Sequence, residues 1–366
     1  MDERIGSKAT LARHELNRRG LIKGSLAGGA SLAAIGSALA RSAGAQEGQF
    51  RFHLQSFLGP GWMEWEQLLP RYIERVRQAS GGAIEITAHP PGALVPTFDL
   101  LDGVSRGVVE MGYAAQVYWR GMLPFTQWTW GIPFYFDRLD HYDYLWWEAG
   151  LNNLTREAFA TQNVFFLGPI YSDEWGSTIS RVPINRLSDF EGLKIRSSGI
   201  GGEIWRSAGA SIVTMPGEEL YTGISTGVID GANWGSPYGM VATRLHEVAK
   251  HYAGPSLIAF DAEDMFMSMD AYNGLPPELQ EALVLATRVF ALERASTSTY
   301  ASARAFQTLE EAGVTVAVLP PEDVEEIRSL TDELLPGLAE DDEYTKRTLE
   351  IINETREVFR RRPAGF

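Results

Sequence analysis

The chain has 366 residues, 45% of them hydrophobic, and a formal net charge of −15. That composition excludes a disordered chain and leaves room for two separately packed cores. The charge removes any electrostatic reason to bind nucleic acid or an anionic membrane surface, and the absence of cysteine excludes disulfides, thiolate metal sites, a cysteine nucleophile and a lipidated N-terminal cysteine.

The first recognisable segment is a targeting one. Residues 17–45 read NRRGLIKGSLAGGASLAAIGSALARSAGA. The Arg18-Arg19 pair precedes a weakly apolar stretch, and Ala43-Gly44-Ala45 has the small-x-small pattern of a cleavage site. The order predicts a twin-arginine signal over residues 1–45. Its removal would take the net charge to −19. The apolar stretch is too short and too rich in small residues for a membrane span.

Beyond it, Phe50–Phe57 alternates as a strand, and Glu64–Ala79 has helical spacing closed by Ser80-Gly81-Gly82. Ala83–Ala88 alternates again, Phe98–Ser105 is helical, and Val108–Tyr113 reads as a third strand. Strand, helix, strand, helix, strand predicts a mostly parallel sheet. The same order returns at Leu193–Arg196, Gly202–Ala208, Ser211–Met215, Glu218–Thr226 and Val228–Asn233. Two such units predict an α/β protein of two lobes around a cleft, a preferred place for a ligand. Pro276–Ala312 has almost no helix breakers, and as one helix would run roughly 55 Å, long enough to lie across both lobes. Val314–Leu319 is a late strand, and two charged amphipathic helices follow; these admit a homodimer contact.

Three segments carry a family resemblance. Leu187-Ser-Asp-Phe-Glu-Gly-Leu-Lys-Ile-Arg196 is one. Glu219-Leu-Tyr-Thr-Gly-Ile-Ser-Thr-Gly-Val-Ile-Asp-Gly231 is another. The third runs from Gly92-Ala-Leu-Val-Pro96 through Gly107-Val-Val-Glu-Met-Gly112. Together they resemble the substrate-binding subunits of TRAP transporters, DctP type, and most of all the branch that binds 2-oxo acids. The resemblance implies a two-lobed periplasmic binding protein fold with a hinged central cleft and a long spanning helix. It implies lobe I over residues 46–170, lobe II over 171–255, a return to lobe I over 256–292, and the spanning helix, lobe II return and C-terminal helices over 293–366. It also implies a small organic acid as ligand and TRAP membrane subunits as partners.

Arg196 ends a predicted strand, and a guanidinium presents a rigid fork to a carboxylate, which Lys does not. The resemblance implies that role for it. Trp234 and Asn233 follow the Asp230-Gly231 turn, at positions where the resembling branch has Glu-Trp and uses the Glu in a metal ion that bridges to the ligand. Asn is a weaker ligand for a hard cation. Trp175, where that branch has Gln, offers no acceptor at all. These departures point to a metal-free pocket, with a calcium or sodium ion as the alternative. Tyr118 and Trp62 complete the candidate binding residues, as aromatic walls for an apolar ligand body. Asp261, Glu263, Asp264 and Asp270 are expected to be solvated loop charge. No HExxH pair and no G-x-S-x-G elbow occurs. The reading is therefore a periplasmic binding subunit that catalyses nothing; the competing one is a twin-arginine-exported enzyme with a bound cofactor.

Overall fold

The computed structural model describes residues 49–339 and 341–361. The predicted signal over 1–45 lies outside them. Among the described residues no helix is long and apolar enough to cross a membrane.

Among the described residues eleven strands form two sheets. The first contains β1 (Phe50–Ser56), β2 (Ile84–His89), β3 (Met111–Ala115), β4 (Val164–Tyr171) and β10 (Ala262–Ser268), in the order β2-β1-β3-β10-β4. The second contains β5 (Thr178–Ser180), β6 (Lys194–Arg196), β7 (Ser211–Val213), β8 (Gly231–Asn233), β9 (His251–Gly254) and β11 (Thr315–Val318), in the order β11-β9-β5-β8-β6-β7. The expected parallel units are both there: β1 pairs in parallel with β2 and β3, and β6 with β7 and β8.

Each sheet also holds one antiparallel strand, β10 in the first and β5 in the second. The sequence reading does not place either. Both follow a crossing from one sheet to the other, where the chain arrives from the opposite side and must run against its neighbours. The crossings are 172–177, 255–261 and the helix Pro277–Glu311. The first two are tied together: the Trp175 amide donates to Ile258 O at 2.8 Å, Leu257 donates to Trp175 O at 2.9 Å, and Ser172 donates to Asp261 O at 3.0 Å. A two-stranded tie of this kind fixes the lobes' connection while leaving few dihedrals to flex.

The predicted helix from Glu64 is not uniform. Glu64–Leu68 is a π-helical turn and Leu69–Ala79 is α-helical. Pro70 has no N–H for the carbonyl of Glu66, so the ordinary ladder cannot run through this turn. The long helix spans Pro277–Glu311. Its buried stripe, Phe290, Ala291, Arg294, Ala295, Ser298 and Ser302, recurs at the three- and four-residue spacing of one helix face. That face is small and apolar except for Arg294, and it packs on β4 and on the Leu69–Ala79 and Pro237–Ala242 helices.

Gly112 shows how closely the first sheet is packed. It pairs with Phe266 across β3 and β10, and the Phe266 ring occupies the space a Cβ would need. Gly112→Ala should therefore destabilise the protein by about 1–3 kcal/mol, the usual cost of overpacking a core. A urea midpoint equal to that of the wild type would show that the ring has somewhere else to go.

Candidate functional site

A cavity of 40 Å³, partly open to the surface, lies between the two sheets, room for roughly three water molecules. Its walls are aromatic: Phe57, Trp62, Trp130, Trp175, Trp234 and Tyr238 all line it. Trp62 comes from the loop after β1, Trp175 from the first crossing, and Trp234 from the residue after β8, so the three converge only through the fold. Trp62 stands edge-on to Trp234 at 6.4 Å and to Tyr238 at 5.5 Å between ring centroids. Trp130 stands edge-on to Trp175 at 4.6 Å. Gly201 makes room for the Trp175 indole, whose edge lies where a Cβ would sit.

The charged groups on the cavity wall are Glu64, Asp173, Asp261, Glu263 and Arg294. Arg294 holds two of the carboxylates: its Nε donates to Glu64 Oε1 at 3.1 Å and its Nη2 to Glu263 Oε1 at 2.9 Å. Tyr113 donates to the other Glu263 oxygen at 2.5 Å, and Ser302 donates to Asp173. Tyr238 donates to Glu64 Oε2 at 3.2 Å. This overturns the expectation of solvated loop charge: Asp261, Glu263 and Asp264 are buried on and beside β10, and of the four only Asp270 is exposed. The reason is tertiary. Arg294, Tyr113 and Trp119, the last donating to Asp264 Oδ2 at 3.1 Å, compensate carboxylates that no sequence neighbour could.

Burial raises the pKa of Asp173, Asp261, Glu263 and Asp264. Desolvation lifts Asp173 to about 6, with the Ser302 hydroxyl opposing it. It lifts Glu263 to about 7, with Arg294 opposing. A carboxyl whose pKa is higher folded than unfolded binds more protons in the folded state, so stability falls as pH rises between the two values. For Asp173 that window is 3.8 to about 6. Asp173→Asn keeps an acceptor for Ser302 and never ionises. It should be more stable than the wild type by up to about 3 kcal/mol above pH 7, with the difference vanishing below pH 4. Equal gains at pH 4 and pH 8 in urea melts would rule out ionisation as the cause.

The sequence candidates separate into two sets. Trp62, Trp175 and Trp234 line the cavity. Arg196, Asn233 and Tyr118 stand behind that wall. Arg196 is 1% exposed. Its Nε donates to Met215 O at 3.0 Å and its Nη1 to Asn233 O at 3.3 Å, and the guanidinium lies over the Trp234 ring, 4.6 Å from its centroid. Its Nη2 and the buried hydroxyl of Tyr118 make no hydrogen bond of good geometry, and the polar contact each has is with the other. The two are electrostatic neighbours: burial lowers the Arg196 pKa, and Tyr118 acts to restore it. Tyr118 itself packs edge-on to Phe98 at 4.8 Å and to Phe57 at 6.1 Å.

Asn233 is spent on structure. Its Nδ2 donates to Ser177 O at 3.0 Å, and its Oδ1 accepts from Ser197 at 3.2 Å. An oxygen so engaged, beside a Trp at 175, does not fit the metal site that the resembling branch builds at these positions. Glu174 turns away to Ser256, which donates to it at 2.5 Å. Among the described residues no three His, Cys, Asp or Glu side chains form a group suited to a metal ion.

Phe57, Glu64, Trp130, Tyr238 and Arg294 are among the cavity residues that sequence reasoning misses. For Arg294 a signal exists: it is the one charged residue on a helix face otherwise made of Ala, Phe, Ser and Leu, and a lone Arg on an apolar stripe must meet a buried acid.

Two α/β sheets, crossed three times by the chain around an aromatic cleft, define a two-lobed binding protein. The chain belongs to bacterial extracellular solute-binding protein family 7, DctP, whose model matches residues 65–342. It is 30% identical to a monocarboxylate 2-oxoacid-binding periplasmic protein of Nostoc sp., over 61% of this chain and 63% of that protein. The chain thus spans less than two thirds of that curated relative. Among solved structures it is similar to a TRAP periplasmic solute-binding protein of Pseudoalteromonas atlantica with bound sodium and pyruvate, at 25% identity and a TM-score of 0.78 over 85% of this chain and 95% of that one. It has the same fold as a TRAP transporter solute-binding protein of Bordetella bronchiseptica with calcium and picolinate, at 22% identity and a TM-score of 0.78 over 85% and 93%.

Proposed function

We propose that this chain is the periplasmic solute-binding subunit of a TRAP transporter, capturing a small organic carboxylate and delivering it to membrane subunits. The observation that carries the reading is Arg196. In a chain of this family, a fully buried guanidinium whose Nη2 meets only a tyrosine hydroxyl, in a contact of poor hydrogen-bond geometry, supports a carboxylate anchor that Trp234 and Tyr118 complete. Trp62 and Trp175 would bury the ligand body, and Asn233 would hold Arg196 in register through its backbone carbonyl. The pocket works without a metal ion in this reading.

The order in which the chain enters the two sheets supports lobes divided at about residues 170, 255 and 292. Export by a twin-arginine signal over residues 1–45 belongs to the same proposal, as do the membrane subunits and a second copy of the chain as partners. A ligand favours the closed form by its differential affinity for that form. Closure would dehydrate the ion pair at Arg196 and strengthen it.

The test is thermal melting of the purified protein against a panel of small carboxylates, with calcium or with a chelator. A ligand that binds the folded state raises the melting temperature by mass action. A shift that survives the chelator is expected; one that needs calcium would overturn the metal-free pocket. No shift with any acid would overturn the carboxylate reading. An absorbance spectrum with cofactor bands would favour the exported enzyme instead.

A further inference from the structure

The cavity wall carries four carboxylates, Glu64, Asp173, Asp261 and Glu263, and one cation, Arg294. Arg294 is already shared between Glu64 and Glu263. Two atoms on this wall lack partners. Asp261 is 4% exposed and its Oδ1 accepts no hydrogen bond; Arg294 is 2% exposed and its Nη1 donates none. A buried polar atom without a partner costs about 1–3 kcal/mol, more when charged, so the pair is a standing site for a group that supplies both complements. The two residues are close enough to perturb each other electrostatically. Around them stand Trp62, Trp130, Trp175 and Trp234, whose ring faces attract a desolvated cation.

From this geometry we infer that the ligand carries a protonated amine, which donates to Asp261 Oδ1 inside the tryptophan walls. The inference rests on the carboxylate reading and narrows it: the substrate class is a small zwitterionic amino acid. In an α- or β-amino acid a carboxylate oxygen lies a short carbon link from the amine, where it can accept from Arg294 Nη1. A quaternary ammonium does not serve, because Asp261 Oδ1 needs an N–H. The 40 Å³ of the cavity favours a ligand of few heavy atoms.

The experiment uses matched pairs that differ only in this group. Pyruvate is compared with alanine, and 2-oxobutyrate with 2-aminobutyrate, by calorimetry on the wild-type protein; β-alanine, proline and isopropylamine complete the set. At least one amino acid is expected to bind about tenfold or more tightly than its oxo partner, equivalent to about 1.4 kcal/mol. Asp261→Asn, which removes the charge and keeps the shape, is expected to abolish that preference. The wild-type comparison stands whether or not the variant folds. Binding of the oxo acids in preference to the amino acids overturns the inference and leaves the carboxylate reading intact. Binding of isopropylamine alone overturns the carboxylate reading and leaves the amine site standing. A melting shift with sodium or calcium chloride alone, lost in Asp261→Asn, assigns Oδ1 to a metal ion and overturns the inference. So does the failure of every amine to bind.

Discussion

Replacing Arg294 with methionine should destabilise the folded protein by about 3–5 kcal/mol at neutral pH. The side chain is buried with Glu64 and Glu263 as its partners at 3.1 and 2.9 Å, and methionine fills similar space without a charge. What is lost is less the attraction itself than the compensation of two buried carboxylates, which must then take up protons or water. Both responses have a pH signature. Without Arg294 the buried Glu263 titrates higher still, so the penalty should shrink as pH falls and it is protonated. Urea melts of Arg294→Met and the wild type at pH 8 and pH 5 measure this. A loss below about 1 kcal/mol at pH 8 would show that water reaches the pair. Adding Glu64→Gln and Glu263→Gln to the variant should restore much of the stability, because no uncompensated charge remains.

The second large effect is on binding. Arg196→Ala should weaken whichever panel carboxylate shifts the melting temperature most by more than tenfold, or about 1.4 kcal/mol. Arg196→Lys should rescue little, because an ammonium on a flexible stem cannot donate to Met215 O, Asn233 O and a ligand in one plane. The alanine variant also frees the two carbonyls that Arg196 serves, so some stability will go with it. Calorimetry well below the melting transition separates the two losses. Unchanged affinity in a folded Arg196→Ala protein would remove Arg196 from the site and leave Arg294 as the cation nearest the cavity.

The parallel units were readable because strand and helix periods, glycine stops and turn residues are local signals. Phe50–Ser56, Lys194–Arg196 and the Pro277–Glu311 helix all sit within a residue or two of where their patterns place them. β10 was not readable. Its sequence, Ala-Glu-Asp-Met-Phe-Met-Ser, begins with two acids that ordinarily mark a solvated turn, and every residue of it is buried. Trp130 gave no signal, being one of ten tryptophans that a core could equally absorb. Trp175 and Trp234 came from positions of the resembling branch and Trp62 from its aromatic character, and the fold brings all three to one cavity. Arg196 was proposed on chemistry and resemblance together, and it stands one layer behind that cavity with the Trp234 ring between.

By itself the sequence determined the α/β character, the paired units and the long helix, because those follow from spacing within thirty-odd residues at most; the family was legible only as a resemblance carried by three separate segments. The tertiary structure alone decided which charges are buried. Glu64, Asp173, Asp261 and Glu263 come from a π-helical turn, two crossings and an antiparallel strand, and Arg294 meets them from a helix 230 positions beyond Glu64. Burying a carboxylate depends on the partner that compensates it, and no pattern along the chain specifies a partner that only folding brings near.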